Sequence, residues 1–314
     1  MRMGNSRNEV VEKIINLKQM RKAVILAHNY QRGEVQDIAD FVGDSLELSQ
    51  KAARTEAEVI VFCGVHFMAE TASILCPDKR VLLPDINAGC PMADMITAEE
   101  LREKKRELPD VPVVCYINST AEVKAESDIC CTSANAVKVI EGLDTQGILF
   151  VPDQYLGHYI STRTKQELFL WPGFCPTHMK ILPEDITKLK QEYPKATVIV
   201  HPECKPDVIA LADEVLGTGG MCKFAQQTQA REIIVGTEIG LIHRLSKENP
   251  DKLFIPASKK AVCPNMKRIS LEKVLWSLED VTPEVKVPED IRHRAKSAVD
   301  RMLLAIENPS TSTI

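Results

Sequence analysis

A chain of 314 residues that is 44% hydrophobic and 26% charged, with a formal net charge of −5, has the composition of an ordinary globular protein with room for two or three modest cores. The acidic balance and the lack of a basic stripe argue against nucleic acid as a partner, and no run approaches the roughly 20 apolar residues that span a membrane. The opening MRMGNSRNEVVEKI holds no apolar export core, so the ten cysteines are expected in the cytoplasm, where metal binding or catalysis suits them better than disulfides.

In chain order, Val11, Ile14, Ile15 and Leu17 fall at near-helical spacing and predict a short helix over 8–20. Val24–Ala27 reads as a buried strand. Val35, Ile38, Ala39 and Val42 then follow the spacing of an amphipathic helix. Strands are expected at Val59–Cys63 and Val81–Leu83, with helices over Ser45–Ala53 and Met68–Leu75. TAEELREKKREL is a polar connecting helix whose Thr97 and Glu100 form a capping box. Further strands follow at Val113–Tyr116, Ile148–Val151 and Leu168–Leu170, and after the helical PEDITKLKQEY at Val198–Val200, Ile233–Val235 and Leu253–Ile255. Residues 270–306 read as capping helices and NPSTSTI as a frayed tail. Short apolar runs alternating with helical patterns imply βαβ units and parallel sheets.

The pattern occurs three times. A polar residue ends the first strand of each copy at His28, Tyr116 and His201, and a hydroxyl follows 17 residues on, at Ser45, Ser133 and Thr218. A cysteine-proline pair closes each copy: Cys90-Pro91, Cys175-Pro176 and Cys263-Pro264. Such self-similarity fixes architecture. It predicts an α/β fold of three pseudo-threefold-related αβα units with parallel sheets, over 1–95, 96–180 and 181–268, with a helical cap over 269–314. Three such units would bring three thiolates to one point.

Ligands of parallel sheets bind at the carboxyl ends of the strands. There, residues i and i+2 face the same way, pairing His28 with Tyr30, Tyr116 with Asn118, and His201 with Glu203. Ser45, Ser133 and Thr218 lie at or just before helix starts, where a hydroxyl beside unpaired N–H groups serves either as a cap or as part of a carboxylate or phosphate site. Three single cysteines far apart in sequence match no zinc-finger spacing, and thiolate ligation favours an iron–sulfur cluster or zinc. Three cysteines on a four-iron cluster leave one iron open as a Lewis acid, whereas an electron carrier normally uses four. Cys63, Cys76, Cys115, Cys130 and Cys131 read as small buried hydrophobes; Cys204 and Cys222 neighbour site-like residues.

AHNYQRGEVQDIADFVGDS, FMAE, CPMA, YINSTAEVKAESDICCTSANA, HPEC, GTEIGLIH and AVCPNMK, spread from about residue 20 to 268, resemble the quinolinate synthase family. The resemblance implies three Rossmann-like domains around a central [4Fe-4S] cluster. It also implies condensation of iminoaspartate with dihydroxyacetone phosphate to quinolinate, with loss of phosphate and water, in NAD biosynthesis. It makes Cys90, Cys175 and Cys263 the cluster ligands. Substrate would be bound by His28, Tyr30, Ser45, Tyr116, Asn118, Ser133, His178, His201, Glu203 and Thr218, with Ile117 and Pro202 between the paired positions. Glu203 is the expected main acid/base, helped by Tyr30, His201 and Tyr116. Functional coupling to an iminoaspartate-producing enzyme is also implied. The family often reads Ser-Thr-Gly where this chain has Gly217-Thr218-Gly219, and some members carry extra cysteines where Pro264, Asn265 and Met266 stand here. Another iron–sulfur dehydratase acting on a hydroxy acid, or a metal-stabilised binding protein, would use the same thiols.

Overall fold

Each strand-forming run is almost wholly apolar, as strands covered on both faces must be. In the computed structural model, which describes residues 2–307 and the side chains of residues 7–305, these runs build three four-stranded parallel sheets. The strands are β1 (Ala23–His28), β2 (Phe41–Gly43), β3 (Val59–Cys63), β4 (Arg80–Leu82), β5 (Val113–Tyr116), β6 (Ile129–Cys131), β7 (Gly147–Val151), β8 (Glu167–Leu170), β9 (Thr197–Val200), β10 (Glu214–Val215), β11 (Glu232–Gly236) and β12 (Leu253–Pro256). The sheets run β2-β1-β3-β4, β6-β5-β7-β8 and β10-β9-β11-β12, so every copy has the same order with its first strand second from one edge. The first sheet lies in a compact unit made of the described residues up to Cys90 with Cys263–Val287; the other two lie in a second unit, Pro91–Val262 with the described residues from Pro288 on.

A clip repeats with the fold. Asp40, Asp128 and Asp213 each accept the backbone N–H at the start of their copy's first strand, Ile25, Val113 and Val198, at 2.7–2.8 Å across 15 residues. The N–H of each aspartate in turn donates to the carbonyl of that same residue. The clip corrects one expectation: the helix starting at Gly33 ends at Ile38 and does not reach Val42. Ala39 is extended, Asp40 closes the clip, and Val42 pairs with Ala27 on β2. Ladder pairing beside β1 outweighs one more turn of helix. The connecting helix Ala98–Glu107 carries the expected capping box of Thr97 and Glu100. The first helix begins earlier than expected, at Arg2, and runs to Met20.

The two C-terminal helices go to different units. Leu271–Asp280 packs on the first helix, with Arg21 donating to the carbonyls of Leu278 and Glu279. Glu289–Glu307 covers the Ala121–Ala125 helix and β6, with Arg294 bonded to Glu126 and Arg301 to the Asp128 carbonyl. The NPSTSTI tail lies outside the described residues. Among them, no helix is long and apolar enough to cross a membrane.

Candidate active site

In the first unit, β1 delivers His28 and Tyr30 to its carboxyl end. His28 Nδ1 accepts the Tyr30 N–H at 3.1 Å, and the two rings meet edge-on at 4.6 Å. The loop after Cys263 holds this segment: Arg32 Nε donates to the Lys267 carbonyl at 2.9 Å, and Lys267 Nζ donates to the Tyr30 carbonyl. Ser45 is half-buried at the first position of the Ser45–Arg54 helix.

The second unit holds the denser cluster. β9 repeats the β1 geometry, with His201 Nδ1 accepting the Glu203 N–H at 3.3 Å. Glu203 is buried and is met from several elements. Tyr116, ending β5, donates its hydroxyl to Oε1 at 2.5 Å, and Asn118 Nδ2 lies 3.5 Å from the same oxygen. His178, on the short turn after Cys175, places Nδ1 2.7 Å from Oε2 and Nε2 2.9 Å from the Thr237 hydroxyl. His178 and His201 stack at 4.7 Å. His201 Nε2 is 3.3 Å from the Ser133 hydroxyl, and Ile117 and Pro202 are buried between the polar positions. Thr218 is buried at the start of the Thr218–Gln227 helix, and a Cβ added at its neighbour Gly217 would lie 3.0 Å from Ser133 Oγ.

Charge in this cluster is divided unevenly. Burial pushes the Glu203 carboxyl up, but the histidines beside it and the hydrogen bonds from His178 and Tyr116 outweigh burial and hold it well below the usual carboxylate range. Burial drives the His201 imidazole down to about 3 against the pull of Glu203. His201 is therefore neutral at physiological pH; with Nδ1 occupied as an acceptor, its proton sits on Nε2 and points at Ser133. A histidine that unfolding frees to bind a proton stabilises the fold fully above its unfolded pKa of roughly 6.5, and that contribution is lost as pH falls towards the folded value. His201→Gln should thus flatten the fall in stability between about pH 6.5 and pH 3. Denaturant titrations across that range check it; a slope identical to wild type would show that His201 is not buried neutral.

The structure decides how the three hydroxyls relate to helix caps. The cap before Ser45 is Asp44, which makes a full capping box with Glu47; the cap before Ala136 is Asn135; the cap before Thr218 is Gly217. None of Ser45, Ser133 and Thr218 is the capping residue of its helix. Their alanine variants should therefore melt like wild type and raise the Michaelis constant of one substrate by tenfold or more, the cost of about 1.5–3 kcal/mol for a lost hydrogen bond to an anion. Thr218 should be the most sensitive, because Gly217 supplies no second hydroxyl. Earlier melting with unchanged Michaelis constants would return these residues to a structural role.

All ten cysteines are thiols outside disulfides, and they divide by exposure: Cys90, Cys175 and Cys263 are half-buried, the other seven buried. Burial pushes Cys63, Cys131 and Cys204 up, away from the thiolate a metal needs. Cys115 is buried in the core as expected, and differs from the others in its surroundings. Burial pushes its thiol up, but hydrogen bonding to Cys130 and Ser119 and the nearby Lys124 ammonium bring it down to about 7. Cys175 Sγ, a His178 ring nitrogen and a Glu203 oxygen lie within 4.8 Å of one another. His178 and Glu203 are spent on each other and, for His178, on Thr237, so the donor they leave is the sulfur. Each repeat cysteine thus offers a half-buried, soft sulfur donor, the type that suits iron–sulfur or zinc ligation.

One residue of this cluster, Thr237, lies outside the strand-end pairs; it follows β11, the second long strand of its copy, where the same argument applies. His178 also had a local signal. A short turn starts three residues after each repeat cysteine, at Ala93, His178 and Met266, and only the second copy puts an imidazole there.

Residues 12–304 match the family model described as Quinolinate synthetase A protein. The chain is similar to the quinolinate synthase of Dehalococcoides mccartyi strain CBDB1, 64% identical over 300 residues, covering 96% of this chain and 99% of that protein. It is 58% identical over 296 residues to the quinolinate synthase of Geotalea uraniireducens, and 56% identical over 295 residues to that of Methanosarcina barkeri, each match covering 94% of this chain and 97% of the relative.

Proposed function

The chain belongs to the quinolinate synthetase A family, and from that premise we propose how its residues carry out the family's reaction. It is an enzyme of NAD biosynthesis. Iminoaspartate and dihydroxyacetone phosphate condense to quinolinate, one phosphate and two waters, which balances every atom and requires several proton transfers at carbon, nitrogen and oxygen. The observation that carries the reading is Glu203, a buried ionised carboxylate fed by Tyr116 and His178. Buried, it has little water to compete for its lone pairs, so a proton it takes or gives goes to substrate.

Tyr116 and His178 orient the carboxylate and can return a proton to it. Neutral His201 presents Nε2–H and, with Ser133 and Asn118, binds the carboxylates of the four-carbon substrate. The Asn118 carbonyl oxygen, buried without a hydrogen bond among the described residues, is available to a substrate N–H. Thr218, beside the N–H groups opening its helix, and on the first unit His28 and Ser45 hold a carboxylate or the triose phosphate; Tyr30 assists as a second acid. Cys90, Cys175 and Cys263 would hold a [4Fe-4S] cluster, whose open iron supplies Lewis-acid chemistry for the loss of a hydroxyl. Ten thiols without a disulfide favour a reducing compartment, the cytoplasm. The imine hydrolyses in water, which favours supply by a nearby iminoaspartate-producing enzyme.

The test is product identity with anaerobically purified protein. Both substrates together should yield an aromatic pyridine dicarboxylate, and either alone should yield none. An unsaturated acid made without consuming triose phosphate would point to a hydroxy-acid dehydratase instead.

A further inference from the structure

His178 reaches Glu203 from a turn of only three residues, His178–Lys180. The turn fixes the backbone but leaves the ring to rotate about its two side-chain bonds, and the second of these has two wells half a turn apart. Stacking on His201 at 4.7 Å sets the plane of the ring. A half-turn about Cβ–Cγ keeps that stack and puts carbon atoms where Nδ1 and Nε2 were. Only contacts at the nitrogens tell the two orientations apart: Nδ1 lies 2.7 Å from Glu203 Oε2, and Nε2 lies 2.9 Å from the Thr237 hydroxyl.

Thr237 is built to hold its end. It is the first residue after β11, an inner strand between β9 and β12. The residues around it are tied down: the Gly236 carbonyl accepts the His201 N–H at 2.9 Å, and the Ile239 N–H donates to the Ala261 carbonyl at 3.0 Å. A threonine side chain is stiff at its first bond, so this backbone aims the hydroxyl. The side chain is buried, away from competing water. A hydroxyl can donate or accept, so the contact with Nε2 holds in either charge state of the imidazole. The three copies supply a comparison. The first residue after the second long strand is Gly64, Pro152 or Thr237, and the short turn after the repeat cysteine starts at Ala93, His178 or Met266. Among these six positions there is one hydroxyl and one imidazole, and the fold joins them.

We propose that Thr237 is a positioning residue for the reaction: its hydroxyl keeps the Nδ1 edge of His178 turned to Glu203 while Glu203 works on substrate. The contact with Glu203 cannot do this alone, because that carboxyl exchanges partners during turnover. The contact with Thr237 lies on the far side of the ring and is present throughout. The inference rests on the reaction assigned above and names the group that keeps its acid/base aligned.

Thr237→Val and Thr237→Ser test it, because valine keeps the shape and removes the hydroxyl, while serine keeps the hydroxyl. Compared as holoenzymes of equal iron content, turnover in Thr237→Val should fall about tenfold or more, with both Michaelis constants changed far less. Thr237→Ser should recover most of the loss. In a His178→Ala background, Thr237→Val should cost little further, since two residues acting through one contact are not additive. Wild-type turnover in Thr237→Val, a loss that serine does not recover, or a full further loss in the His178→Ala background would each overturn the proposal. A wild-type holoenzyme that makes no quinolinate would overturn the assigned reaction itself.

Discussion

Glu203→Gln is expected to lower turnover by on the order of 100-fold or more, with iron content and melting temperature close to wild type. Hydrogen-bond supply sets this outcome. Glu203 receives the Tyr116 hydroxyl on one oxygen and His178 Nδ1 on the other, and both partners arrive as donors. Glutamine keeps one acceptor for Tyr116 and turns its amide N–H towards His178 Nδ1, which accepts it in the tautomer whose Nε2–H donates to Thr237, so the network survives without a protonatable oxygen. The amide cannot take a proton at all. Because the side chain is nearly the same size and stays buried, a general collapse would show as earlier melting. Binding of the two substrates, measured by calorimetry under anaerobic conditions, should change far less than turnover. Near-normal turnover would move the role to Tyr116 or Tyr30.

The second large effect is at the cysteines. Changing Cys90, Cys175 or Cys263 singly to serine should abolish both the iron–sulfur chromophore and activity, while Cys63→Ser or Cys76→Ser should leave both in place. The contrast rests on exposure: the first three thiols are half-buried and reached by solvent, and the other two are buried, Cys76 donating to the Ala52 carbonyl. A serine hydroxyl is a far poorer ligand for iron than a thiolate, so little cluster should assemble on two remaining thiols. Iron and sulfide analysis of the five variants gives the answer, and full iron content in all three ligand variants would remove the cluster from these positions.

Much of this was legible before the structure, and the reason is repetition. One strand-end motif is weak, but His28, Tyr116 and His201 with hydroxyls 17 residues on could be read together. Nine of the twelve strands were visible as apolar runs. The three that were not, β2, β6 and β10, have two or three residues each, too short to show a period. The Asp40, Asp128 and Asp213 clip depends on one carboxylate meeting one N–H across 15 residues, which no local pattern reveals. The overlong Val35–Val42 helix came from a spacing that held by coincidence across a helix end and a strand. Thr237 follows the second long strand of its copy, and nothing in its local sequence marks it; its role depends on His178, which only the folded arrangement brings to it.

The central claim joins one activity to one set of thiols, and a single titration tests the two together. Anaerobic preparations carrying different amounts of iron and sulfide would be given iminoaspartate and dihydroxyacetone phosphate, and quinolinate formed per protein would be measured against loading. The account predicts a straight rise from zero at no cluster to a maximum at one four-iron cluster per chain. Quinolinate formation independent of loading, or none from fully loaded protein, would contradict it.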